Sequence, residues 1–150
     1  PLHMFFTIKR RLFMLKNIDT KRFPLILVPL LSLTTIHPMK ALKIYNRSNS
    51  ILFATTENNG LIGVRISKNF CEIPHISVLP SFQKRRIATL MIQQIINLYP
   101  DIELIIAETD LEAVTFYKKF GFNPIKLPSK YPDTTRFLCI YNVEKSISPC

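Results

Sequence analysis

Residues 72–89, Glu72-Ile73-Pro74-His75-Ile76-Ser77-Val78-Leu79-Pro80-Ser81-Phe82-Gln83-Lys84-Arg85-Arg86-Ile87-Ala88-Thr89, read as a strand that ends at a proline and passes through a basic turn into a helix. Pro74 cannot donate to a sheet ladder, so it marks an edge or a bulge in that strand. Beyond Ser81 the pattern turns helical as far as Tyr99, with Ile87, Leu90, Met91, Ile95 and Leu98 at the three-and-four spacing of one buried face. The first amides of a helix have no intrahelical acceptor and carry partial positive charge, which suits a phosphate. Gln83, Lys84, Arg85 and Arg86 add donors and charge to the same turn. A pyrophosphate is the natural guest, although many helices begin with basic residues.

Working outward toward the C-terminus, Pro100 stops the helix and Glu103 to Ala107 forms a short apolar run, expected as an interior strand. Thr109 and Glu112 have the spacing of a capping box, which predicts a helix start there, and Gly121 is placed to end that helix. Phe122–Leu127 and Arg136–Val143 supply two closing strands. Toward the N-terminus, residues 14–19 suggest a first strand, with Asp19 or Thr20 capping the next helix. Phe23 to Leu33 is apolar and follows a basic stretch, but it is too short to span a bilayer and contains Pro24 and Pro29. It is read as a buried amphipathic helix with Pro24 in its first turn. A second helical segment runs from Met39 to Tyr45. Ile51–Thr56 and Leu61–Ile66 are β-rich, and Asn59-Gly60 between them is a hairpin signal. The order predicts an α/β (α+β) fold with a mixed central sheet of about six to seven strands flanked by helices.

A chain of 150 residues fits one domain, assigned to 14–150, with 1–13 read as a tag remnant and basic N-terminal tail. Hydrophobic residues make up 47% and charged residues 20%, which excludes a disordered chain. The formal net charge of +10 calls for anionic company, whether a phosphate-rich cofactor, nucleic acid or a membrane surface. Lys9, Arg10, Arg11, Lys16, Lys21 and Arg22 crowd the first 22 residues. A solvated basic surface beside a cofactor site accounts for the charge better than nucleic-acid binding. Cys71, Cys139 and Cys150 lack metal-ligand spacing, so no metal is expected, and free thiols in a reducing cytoplasm are the simplest account.

The two segments together resemble the acetyl-CoA-binding half of the GNAT acetyltransferase superfamily. Its pyrophosphate loop reads Gln or Arg, two residues, Gly, one residue, Gly or Ala; Gln83 and Ala88 match, Val78 and Pro80 stand at the usual upstream positions, and Arg86 replaces the central glycine. The second signature is matched by Phe116-Tyr117-x-Lys119-x-Gly121-Phe122, with Asp110 where many members carry Asn and Ala113 at the following small position. The resemblance implies a sheet splayed between the strand at 72–78 and the strand at 103–107. The pantetheine arm would lie in that gap against Ile76, Ser77 and Val78, the pyrophosphate on Gln83 to Thr89 (including Ile87), and Asp110, Ala113 and Phe116 nearby.

By the same resemblance, acetyl-CoA is the co-substrate and an amine attacks it directly in a ternary complex. Tyr117 would protonate the leaving thiolate. Glu72 would deprotonate the amine, directly or through water, with His75 and Glu108 as competing bases. Period-2 alternation sets Glu72 and His75 on opposite faces unless Pro74 introduces a bulge. The loop from Lys130 to Phe137 resembles one found in a group of small bacterial members and brings Tyr131 or Arg136 toward the acceptor. The acceptor, a small molecule or a protein amine, is not legible, and a homodimer is compatible with the chain. Two other readings stand beside this one: a CoA-binding module without catalysis, and a basic adaptor for nucleic acid or membrane working through the tail.

Overall fold

The hairpin expected around Asn59-Gly60 anchors the first half of the sheet in a computed structural model, which describes residues 14–129 and 131–144. β2 (Ser50–Thr55) and β3 (Gly60–Ser67) pair antiparallel, Phe53 opposite Ile62. The turn is longer than a two-residue one and its positive φ falls on Asn58, at 57°. Asn59 and Gly60 are instead clamped to the strand end: both amides donate to Thr55 Oγ1 at 3.0 Å, and that hydroxyl donates to Asn59 Oδ1 at 2.6 Å. β1 (Leu15–Asn17) adds to the outer edge of β2. β4 (Phe70–Val78) pairs antiparallel with β3 and parallel with β5 (Leu104–Asp110). β7 (Arg136–Asn142) and β6 (Asn123–Lys126) close the far edge, giving a seven-stranded mixed sheet in the order β1-β2-β3-β4-β5-β7-β6.

Each face of the sheet is covered by helices over its own core. On one face lie α1 (Val28–Ser32) and α2 (Pro38–Leu42), burying Leu27, Leu30, Leu31 and Leu42 against Leu52, Ala54 and Leu61. On the other lie α3 (Ile87–Leu98) and α4 (Val114–Phe120), burying Met91, Ile92 and Ile95 against Ile62, Val64, Cys71 and Ile105. The expected single helix over Phe23–Leu33 is broken: Pro24 precedes a 3₁₀ turn at Leu25–Leu27, and α1 starts at Val28 with Pro29 in its first turn. Only its inner residues are buried. The buried stripe of α3 runs through Ile87, Met91, Ile92 and Ile95, whereas Leu90 and Leu98 of the expected face are exposed.

Two features of β4 position the site. Its pairing with β3 steps from Gly63–His75 to Arg65–Glu72, two residues on β3 against three on β4, so Ile73 and Pro74 form a bulge where the proline predicted one. Its parallel pairing with β5 ends at Glu72–Ile106, and among the described residues no strand lies beside that edge from Ile73 to Val78. The sheet is splayed there. The expected assignment of 1–13 to a tail, and Lys130 and Cys150, lie outside the described residues.

Candidate active site

The splay opens a cleft of about 1280 Å³ between the unpaired edge of β4 and the C-terminal half of β5. Its walls include Ile76, Ser77 and Val78 from β4, Gln83, Lys84, Arg86, Ile87, Ala88 and Thr89 from the connection into α3, and Asp110, Ala113, Phe116 and Tyr117 from β5 and α4. Of the residues expected at a cofactor site, Arg85 alone is not in the wall. Its guanidinium lies over the Phe82 ring, 5.3 Å from the centroid, a cation–π contact that holds it aside.

The basic turn is not the first turn of a helix running from Ser81. A 3₁₀ turn at Pro80–Phe82 is followed by an open loop, and α3 begins only at Ile87. Lys84 and Arg86 both have φ of 64° and sit in the left-handed region, which ends any helix there. Gln83 Nε2 donates to the Val78 carbonyl at 3.2 Å, and the Leu79 amide donates to the Asn59 carbonyl at 3.0 Å. The loop is therefore tied to the end of β4 and to the β2–β3 turn. Alternating left-handed residues before a helix turn backbone amides toward a common point, a concavity suited to an anion.

Tyr117 is almost fully buried, edge-on to Phe116 and Phe122 with ring centroids 5.1 Å apart in each pair. Burial, then the neighbouring Cys139 and Asp110, pushes its phenol well above the ordinary value, so the hydroxyl keeps its proton at neutral pH. Gly121 (φ 122°) ends α4 as expected, its amide donating to the Tyr117 and Lys118 carbonyls. The start of α4 differs from expectation. Thr109 belongs to β5 and is buried, and Asp110 Oδ1 accepts the Ala113 amide at 2.9 Å, so Asp110 replaces the Thr109–Glu112 box as the turn's organiser.

Because of the bulge, Glu72 and His75 share the face that carries α1 and α2. Tyr45 reaches across Gly63 to His75, with its hydroxyl 2.5 Å from Nδ1. A Cβ on Gly63 would collide with that hydroxyl and with the phenol ring behind it, which is why the strand has glycine here. Glu72 Oε2 is 3.3 Å from an Arg65 guanidinium nitrogen and does not line the cleft, whereas His75 and Glu108 do. Glu108 is held by Arg136, whose Nε lies 3.2 Å from Oε1. Burial, with Arg65 adding to it, lowers the His75 pKa and keeps the ring neutral. Tyr131 is exposed and outside the cleft wall, while Arg136 is in it. Sequence reasoning missed Tyr45: a lone tyrosine 30 residues upstream gives no signal of contact with His75. Among the described residues, no group of three or more His, Cys, Asp or Glu side chains is arranged to hold a metal ion.

A bulged and splayed β4, a basic loop at its end and a tyrosine on the opposite wall are the arrangement expected of an acetyltransferase fold. Residues 32–138 match the family model described as an acetyltransferase (GNAT) domain, and the chain belongs to that family. No curated protein matches it significantly in sequence. Solved structures match in fold. An aminoglycoside 6'-N-acetyltransferase complexed with coenzyme A superposes with a TM-score of 0.73 at 16% identity, over 90% of this chain and 99% of its own. The ribosomal-protein-S18-alanine N-acetyltransferase from Escherichia coli gives 0.73 at 13% identity, over 92% and 98%. A GNAT acetyltransferase from Elizabethkingia anophelis with acetyl-CoA bound gives 0.68 at 15%, over 88% and 99%.

Proposed function

We propose that the protein transfers an acetyl group from acetyl-CoA to a primary amine by direct attack in a ternary complex. The observation that carries this reading is the cleft itself, where the unpaired edge of β4 faces Tyr117 and leads to the Lys84–Arg86 loop. The pantetheine arm pairs with Ile76 to Val78 and the pyrophosphate sits on the amides of Gln83 to Thr89. Attack of the amine nitrogen on the thioester carbon forms the C–N bond. Collapse breaks the C–S bond, and Tyr117 gives its proton to the departing sulfur. The amine must shed a proton. His75 is the neutral base in the cleft wall, its ring positioned by the contact between Nδ1 and the Tyr45 hydroxyl; Glu72, which does not line the cleft, serves through a water.

The direct test is release of free CoA thiol from acetyl-CoA over a panel of amines (polyamines, aminoglycosides, amino-acid amides and N-terminal peptides). Turnover with at least one, with pH profiles distinguishing His75→Gln from Glu72→Gln, supports the reading. Tight CoA binding with no turnover on any amine favours a CoA-binding module, and Arg86 in place of the family's glycine is the observation that keeps that second reading in play.

A further inference from the structure

The outer side of the helical layer formed by residues 21–47 is apolar and basic at once. Its inner residues Leu27, Leu30, Leu31, Ala41 and Leu42 are buried, but Leu25, Ile36 and Met39 are 86%, 89% and 76% exposed, with Ile26 and Leu33 also in water. Lys21, Arg22, Lys40, Lys43 and Arg47 are exposed on the same segment. From residue 14 to residue 56 there is one acidic residue, Asp19, although the whole chain has 10. Long aliphatic side chains exposed this densely are unusual on a monomer's surface. Among the described residues, no helix is long and apolar enough to cross a membrane.

We propose that this face docks on an anionic lipid bilayer, with the aliphatic side chains at the headgroup–acyl boundary and the cations on acidic headgroups. The charge complementarity and the kind of side chain select that occupant. Bases of nucleic acid stack on exposed aromatic rings, and of the aromatics in residues 21–47 Tyr45 is buried and Phe23 is partly buried against the core. Protein interfaces are likewise enriched in aromatics at their centres. Aliphatic residues interleaved with Lys and Arg are what a shallow interfacial anchor needs. The short α1 and α2 need not refold for this, because their inner faces stay on the sheet. Leu33 belongs both to the docking face and to the cleft wall, so docking sets the cleft beside the bilayer.

The test is cosedimentation of the full chain with large vesicles, either pure phosphatidylcholine or with about 30% phosphatidylserine, at physiological salt. Binding to the anionic vesicles and not to the neutral ones is expected. Lys21→Gln/Arg22→Gln/Lys40→Gln/Lys43→Gln weakens it by about 600-fold, about fivefold per charge. Leu25→Ser/Ile36→Ser/Met39→Ser abolishes it with melting temperature unchanged, because these side chains are already in water. Lys9→Gln/Arg10→Gln/Arg11→Gln retains it. Absence of binding, equal binding to neutral vesicles, or loss of all binding in the Lys9/Arg10/Arg11 variant overturns the proposal. So does a dimer by light scattering that dissociates in the Leu25/Ile36/Met39 variant, which would assign the face to a second copy.

Discussion

Arg86 combines a left-handed backbone with a charged side chain, and replacing it with glycine and with alanine separates the two. Its backbone holds φ 64°, ψ 17° at the entrance to α3, a conformation costing an L-residue about 1–2 kcal/mol. Glycine removes that strain but gains about 0.5–1 kcal/mol of unfolded-state freedom, so Arg86→Gly should stabilise the protein by about 0.5–1 kcal/mol. Arg86→Ala keeps the Cβ and the strain, and because the side chain is exposed it should lie within about 0.5 kcal/mol of wild type. Urea denaturation reads this as a higher midpoint with an unchanged slope for glycine only, equivalent to roughly 1–4 °C in Tm. Both variants lose the same guanidinium, so both should bind acetyl-CoA up to about fivefold more weakly if it rests on phosphate in open solvent. The ratio between them isolates the backbone. Equal stability of the two variants, or a glycine variant less stable than wild type, would refute the assignment of strain to this position.

Gly63→Ala should push the Tyr45 phenol off His75 and cost about 1–3 kcal/mol by overpacking, read by denaturation and by a changed pH profile of activity. Because the folded pKa of His75 is depressed below 6.5, the unfolded chain takes up a proton first as pH falls. Stability is therefore complete above 6.5 and is lost between 6.5 and the lower folded value; His75→Gln should remove this component from a stability–pH series. Tyr117→Phe should leave acetyl-CoA affinity within a few-fold and lower kcat by about 10²–10⁴-fold, checked by calorimetry beside thiol release.

The parts of the fold legible in the chain came from residues with one physical reading. Pro74 cannot complete a ladder, and the bulge is there; its consequence, Glu72 and His75 on one face, came with it. Gly121 ends α4 because the chain needs positive φ at that point. α3 starts later than the basic turn suggests because Lys84 and Arg86 take positive φ without glycine to announce it. The Thr109–Glu112 box lost to Asp110 because β5 runs on through Thr109, where tertiary pairing with Phe137 outweighs local capping. The Phe23–Leu33 segment forms a shorter helix than its apolar content suggests, because that content alone does not show which residues face in. The Tyr45–His75 contact is set by the packing of the helical layer on β3 and β4, and no local pattern encodes it.

Calorimetric titration of the full chain with acetyl-CoA at low salt asks whether the cleft holds the cofactor. One site with micromolar affinity is expected, lost when Ala88 is enlarged to Trp on the loop wall and retained by Tyr117→Phe. Absence of binding heat at several temperatures, or binding unaffected by Ala88→Trp, would contradict a cofactor held between β4 and β5.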